Sequence, residues 1–277
     1  GWLNYSGLTN QLIFDNIELN PSIETTIEII SKFQNSDFTH IVGIGGGSSM
    51  DVAKYCAFKM NKLKIMIPTT FGSGSEVTRI SVLKVNGKKC SFHDDNLFAN
   101  TAIIDSSFLE NTPDTIRKNS FVDACAQCTE AYDSKNSNYY TKFLCEKAFD
   151  LLEDGLTSNN SKKIALGSLI SGLGFGNSST TLGHALSYVY SNEGYSHGHA
   201  LAFTTLISHK FNNSKFFKRF NSLIQKLNFE KIHLNENFDL ASETIYHDRK
   251  HLDNNPKSIS KSDISNLLQQ IEKITLI

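Results

Sequence analysis

The sequence predicts an α/β domain with a parallel, Rossmann-like sheet over residues 1–112, followed by an all-α domain over residues 113–277. Three observations carry this expectation. Short apolar runs alternate with helix-like segments in the first part, only helical spacing remains after Pro113, and a glycine-rich turn sits directly between a strand signal and a helix signal.

Asn20-Pro21 reads as an N-cap with proline at the first helical position, opening an amphipathic helix through about Phe33. Phe38 to Ile44 and Leu63 to Ile67 are apolar runs of the kind that buried parallel strands need, with a helix-like Asp51 to Met60 between them. Ile80 to Val85 and Lys88 to Phe92, joined by Asn86-Gly87, predict a hairpin, and Thr101 to Asp105 a further strand. Helical spacing then recurs over 114–133, 139–153, 161–175, 178–191, 198–210, 215–227, 236–250 and 261–274, the last opened by Ser260 and Asp263 in a capping-box pattern. The domain boundary falls near Thr112-Pro113, with no low-complexity linker and no internal repeat.

Composition narrows the function classes. Lys and Arg total 27 against 28 Asp and Glu, so no global field recruits nucleic acid or an anionic membrane. No apolar run approaches membrane-spanning length, and Gly1-Trp2-Leu3-Asn4 lacks the features of a signal peptide, so a soluble, cytoplasmic protein is expected. Five scattered cysteines suit reduced thiols better than a disulfide framework. Cys125-Ala126-Gln127-Cys128 matches C-x-x-C, but no second pair completes a thiolate zinc site, and an ordinary helical pair is expected.

Residues 43 to 54 read Gly-Ile-Gly-Gly-Gly-Ser-Ser-Met-Asp-Val-Ala-Lys. Gly45, Gly46 and Gly47 let a backbone approach a ligand closely, and the free N–H groups of the following helix favour a phosphate, which predicts pyrophosphate binding. The spacing fits neither G-x-G-x-x-G nor a P-loop, so a purely structural turn stays open on these residues alone. A second small-residue turn, Pro68-Thr69-Thr70-Phe71-Gly72-Ser73-Gly74-Ser75-Glu76, follows the second strand and is expected at the same sheet edge.

In the helical part, Asp123 and Gln127 are four apart and share a helix face. Their small apolar flanks predict a helix packed on several sides, and a buried polar pair needs a partner. His184 lies in another small-residue segment, and His197 and His199 in Ser196-His197-Gly198-His199-Ala200. One carboxylate, one amide oxygen and two imidazoles make a mixed O/N set for Fe²⁺ or Zn²⁺, with hydrogen-bonded core histidines as the alternative. His40, His93, His209, His233, His247 and His251 share no spacing and are read as surface or core.

Taken in order, the Gly-Gly-Gly-Ser turn with Asp51 and Lys54, the Pro-Thr-Thr-x-Gly-Ser-Gly-Ser-Glu turn, the Asp123 helix and the two histidine segments resemble the iron-containing (group III) alcohol dehydrogenase family, whose fold is dehydroquinate synthase-like. The likeness runs furthest toward the phosphonoacetaldehyde reductase branch, on Glu76-Val77-Thr78-Arg79, Gly87 to Ser91, Gln127, Thr180 to Tyr188, His197 to Ala200 and Leu252 to Pro256. The resemblance implies Asp123, Gln127, His184 and His197 as metal ligands. It places Gly45, Gly46, Gly47 and Ser48 at the pyrophosphate of NAD or NADP, with Asp51 shaping the turn, Thr69, Thr70 and Ser73 lining the nucleotide site and Lys89 near the nicotinamide ribose. The implied reaction moves a hydride between NAD(P)H and a small aldehyde or alcohol, with phosphonoacetaldehyde and 2-hydroxyethylphosphonate as one pair. In this reading a water, a cofactor hydroxyl or Tyr188 delivers the proton, and Arg79 and Lys89 are candidates for holding an anionic substrate tail, with surface or cofactor contacts as the alternative. A homodimer is compatible with it. The chain starts beyond the family's first strand and turn, so a shortened nucleotide half is expected. Two rival readings share the fold: a lyase or cyclising synthase, and a non-catalytic descendant.

Overall fold

The computed structural model describes residues 12–274; the Gly1 to Asn4 reading lies outside them. Helix α1 (Ile23–Phe33) is capped by Ser22, whose Oγ accepts from the Thr25 N–H at 3.3 Å. The expected Asn20-Pro21 start is corrected. Asn20 adopts a left-handed φ of 53°, and the Pro21 carbonyl accepts from Lys84 N at 2.7 Å, so this segment is spent on docking to the hairpin.

Strands β1 (His40–Gly45) and β2 (Leu63–Pro68) pair in parallel from His40↔Leu63 to Gly45↔Pro68, and β5 (Thr101–Ala102) continues on the far side of β2. Strands β3 (Ile80–Val85) and β4 (Lys88–His93) form a separate antiparallel hairpin. Strand β5 is shorter than expected because Asp105 instead caps a 3-10 turn, accepting from Ser107 N at 2.9 Å. Nor is β1 buried on both faces: Val42 is 48% exposed and Leu63, opposite its first residue, 46%.

Helix α2 (Gly47–Lys59) joins β1 to β2 and is buried on several sides. Met50 and Ala53 pack on Met66 of the sheet, while Val52, Tyr55 and Cys56 pack on Ile29 and Leu83. This two-sided packing explains a helix with no clean apolar stripe.

The remainder is helical: α3 (Asp114–Asp133), α4 (Tyr139–Thr157), α5 (Ser161–Ser178), α6 (Leu182–Asn192), α7 (His197–Asn212), α8 (Phe217–Leu227), α9 (Phe238–Tyr246), α10 (Arg249–Asn254) and α11 (Lys261–Glu272). The largest core cluster lies here, around α3 residues such as Phe121, Val122 and Cys125. The expected helix over 236–250 is two helices, because Asp248 caps α10 with its carboxylate and ends the run after Tyr246. All five cysteines are free, and Cys128 Sγ points to the Cys125 carbonyl within α3.

Candidate active site

A cleft of about 400 Å³ runs between the glycine turn and the helical part. One wall carries Gly47, Ser48 and Asp51 from the start of α2, with Thr70 and Ser73 from the second turn. The parallel register puts both turns at one sheet edge, and Thr69 N donates to the Gly45 carbonyl at 2.9 Å. The first turn of α2 thus presents unpaired N–H groups and the positive end of a helix to the cleft, a fit for phosphate oxygens. Behind it, Asp51 accepts from Ser75 Oγ at 2.6 Å and from Val82 N at 3.1 Å. The buried Lys54 ammonium donates to the carbonyls of Ser75, Thr78 and Ile80 and lies 3.6 Å from Asp51. Asp51 and Lys54 therefore tie α2 to the second turn and the hairpin.

The opposite wall carries Asp123 and Gln127 from α3, His184 and Tyr188 from α6, and His197 from the start of α7. One donor atom from each of Asp123, His184 and His197 lies within 4.8 Å of the others. His184 Nε2 and His197 Nε2 are both 3.9 Å from Asp123 Oδ1. Gln127 Nε2 donates to the same oxygen at 3.0 Å, while its amide Oε1 is buried with no hydrogen-bond partner. An orphaned buried oxygen beside a carboxylate and two imidazoles is what a divalent cation would satisfy, so the donor set fits one. Burial, opposed by His184, Lys89 and Gln127, pushes the Asp123 carboxyl up to about 6. Burial, with the nearby His184, holds His197 well below the usual histidine range, leaving its lone pair free.

Two close approaches bring the histidines to α3. A Cβ on Gly183 would meet Glu130 Oε1 at 2.1 Å, and one on Gly198 would meet the Asn119 carbonyl at 2.0 Å. Only glycine lets α6 and α7 start this near α3, and each precedes or follows a histidine that faces Asp123.

Three residues of the cleft region were not singled out by sequence. Glu130 is buried and accepts from Thr181 N at 2.7 Å, Thr181 Oγ1 at 3.0 Å and Thr205 Oγ1 at 3.1 Å. Its Oε1 is 3.2 Å from His184 Nδ1, which orients the ring with Nε2 toward Asp123. Burial raises its pKa, but His184 and these donors outweigh that and bring it to about 2. Asp123, Gln127 and Glu130 stand at i, i+4 and i+7, so the helical stripe held the signal. His251 and Lys250 also line the cleft. His251 Nδ1 is 2.7 Å from Asp248 Oδ2, and its ring stacks on His184 with centroids 6.3 Å apart. Their position depends on the break before α10, which had no periodic signature.

Tyr188 stacks on His197, centroids 6.2 Å apart, and burial raises its phenol pKa. Lys89 lines the cleft, where burial lowers its ammonium pKa. Gly46 and Thr69 directly precede the lining residues Gly47 and Thr70, and Gly45 is joined to Thr69 by the hydrogen bond between the two turns. Arg79, just before β3, is not among the residues lining the cleft; its guanidinium pairs with Asp95 at 2.8 Å in an exposed ion pair. His199 likewise faces elsewhere, 2.6 Å from the Glu230 carbonyl.

The family model for iron-containing alcohol dehydrogenase matches residues 3–106, and that for the C-terminal region of the Fe-containing alcohol dehydrogenase family matches residues 118–239. The chain belongs to the iron-containing alcohol dehydrogenase family. Among family members, 4-hydroxybutyrate dehydrogenase of Clostridium kluyveri is 34% identical over 65% of this chain and 56% of its own length. Long-chain-alcohol dehydrogenase 1 of Geobacillus thermodenitrificans is 31% identical over 64% and 52%. The chain thus spans a little over half the length of these curated relatives. Sulfoacetaldehyde reductase from Bifidobacterium kashiwanohense, solved with NAD⁺, superposes with a TM-score of 0.87 at 23% identity, covering 99% of this chain and 86% of that one. An iron-containing alcohol dehydrogenase from Thermotoga maritima gives 0.84 at 24%, covering 95% and 83%. These likenesses support the α/β plus all-helical fold. No helix among the described residues is long and apolar enough to cross a membrane.

Proposed function

We propose that this chain is a metal-dependent oxidoreductase that transfers hydride between NAD(P)H and a small aldehyde or alcohol, with phosphonoacetaldehyde and 2-hydroxyethylphosphonate as the specific pair. The observation that carries the reading is the convergence of Asp123, His184 and His197 across one cleft from the first turn of α2. Asp123, Gln127, His184 and His197 would hold the cation; when bound, Fe²⁺ or Zn²⁺ supplies Lewis acidity at a carbonyl and the nicotinamide supplies the hydride.

The chain's own residues do the rest. Gly47 and Ser48 meet the pyrophosphate with backbone N–H groups, and Thr70 and Ser73 close that wall. Gln127 fixes the Asp123 carboxylate, and Glu130 fixes His184. The Tyr188 hydroxyl is the proton donor of the reduction, delivering its proton to the substrate oxygen as the alcohol forms. The family membership and the named dehydrogenase relatives support this reading. The free cysteines support a reducing, cytoplasmic setting as part of the same proposal.

The test is to load the purified protein with metal, offer phosphonoacetaldehyde and a panel of simple aldehydes, and follow NAD(P)H absorbance. Oxidation of the cofactor is expected. Absence of turnover with every aldehyde in a folded, metal-loaded sample contradicts the proposal.

A further inference from the structure

Lys84, Lys89 and Lys250 all line the cleft, and among the described residues none has a carboxylate within ion-pair distance. Lys84 and Lys89 are direct cross-strand partners of the β3–β4 hairpin, an arrangement of like charges that costs stability unless something anionic lies over it. This pair stands on the α/β wall, where the nucleotide is proposed to lie. Lys250 comes from the other side. It sits at the cleft rim on α10, next to His251, and its Nζ is 3.1 Å from His93 Nε2 at the end of β4.

A lysine donating to a neutral imidazole keeps its full charge and two free donors. Burial, together with Lys250, Arg79 and His251, lowers the His93 pKa, so the ring is an uncharged acceptor. Asp248, the acid nearest in sequence, is occupied by His251 Nδ1 and by capping α10. Arg79, the other cation expected to serve an anion, is committed to Asp95 outside the cleft. Lys250 is therefore a cation with no carboxylate in ion-pair contact, although burial lowers its pKa against the nearby Asp248 charge, and it stands next to the wall that carries Asp123, His184 and His197.

We propose that Lys250, held by His93, is the specificity-determining anchor for an anionic tail on the aldehyde: a carboxylate, sulfonate or phosphonate separated from the carbonyl by a short chain. The inference rests on the oxidoreductase reading for the identity of the reacting end, but the anion subsite has its own readout. Because the ammonium is at the rim and partly solvated, the interaction is worth less than a buried pair, and about a tenfold effect is expected from its removal.

The decisive experiment is calorimetric titration of metal-loaded protein with 2-hydroxyethylphosphonate and with succinate, beside 1-butanol as a neutral probe, for the parent, Lys250→Gln and Lys250→Arg. The parent should bind both anions, Lys250→Gln should bind them about tenfold more weakly with little change for 1-butanol, and Lys250→Arg should recover most of the loss. Steady-state assays with succinic semialdehyde against butanal should show the same split, as a raised KM for the anionic substrate alone. Anion affinity unchanged by Lys250→Gln overturns the subsite, as does a parent that binds neither anion or a loss shared equally by 1-butanol. Parent protein that binds the anions through Lys250 yet turns over no aldehyde leaves the subsite standing and overturns the oxidoreductase reading instead.

Discussion

Glu130 shows how a residue that never faces the cleft governs what the cleft can hold. Its carboxylate takes donors from Thr181 and Thr205 and orients the His184 ring, so its loss frees the imidazole without removing a ligand. Glu130→Gln should weaken Zn²⁺ binding by about 10–100-fold, read by competitive titration with a chromophoric chelator; parent-like affinity in the variant would show that Glu130 is only structural. His209 carries a pH dependence. It is buried against Thr129, Phe220, Glu130 and Asp133, and burial, opposed by Glu130, lowers its pKa to about 4. The unfolded chain protonates this ring near its ordinary value and the folded chain does not, so its contribution is present above about 6.5 and lost as pH falls toward 4. Asp133, pushed up to about 6 by burial, acts in the opposite sense, so the comparison must be made against a variant. The stability of the parent relative to His209→Gln should fall by roughly 2–3 kcal/mol between pH 7 and pH 4, measured by urea denaturation. A difference that does not vary with pH would mean that the ring titrates normally in the fold.

At the scale of elements, the histidines are delivered by helix starts rather than by long loops. Gly198 lets α7 begin against the Asn119 carbonyl, a backbone atom that cannot swing aside. Gly198→Ala should therefore push α7 away from α3, costing about 1–3 kcal/mol and weakening metal binding at His197; a melting curve and a Zn²⁺ titration check both, and a variant matching the parent in each would show that α7 is not set by this contact. The helical elements were legible because their signals are local. Ser260 and Asp263 form the capping box that opens α11, and the spacing over 114–133 coincides with α3. Where the sequence misled, a side chain had a competing use: Asp248 capped a new helix, Asp105 ended β5, and Asn20-Pro21 docked on the hairpin. Whether Val42 is covered depends on what lies across the sheet, which a single strand's apolar run does not specify.

At the scale of the whole molecule, the site arises because the sheet edge and the α3 wall share one cleft. Asp123, Gln127, His184 and His197 were readable as polar residues in small-residue surroundings, yet only the packing of three helices brings donor atoms of Asp123, His184 and His197 together, with Gln127 bonded to Asp123 through its amide nitrogen. Net charge concealed the cationic rim: 27 basic against 28 acidic residues average to nearly nothing, while Lys84, Lys89 and Lys250 gather on one opening. Nor did spacing reveal which cation lines the cleft, since Ile80 lines it while the adjacent Arg79 pairs with Asp95.

The most direct measurement is a crystal structure of the protein grown with Zn²⁺, with anomalous scattering recorded at the zinc edge. The site's four side chains predict one strong peak within about 2.0–2.3 Å of Asp123, His184, His197 and the Gln127 amide oxygen. A map with no peak there, or with zinc held elsewhere while these side chains hydrogen-bond only to one another, would contradict the account.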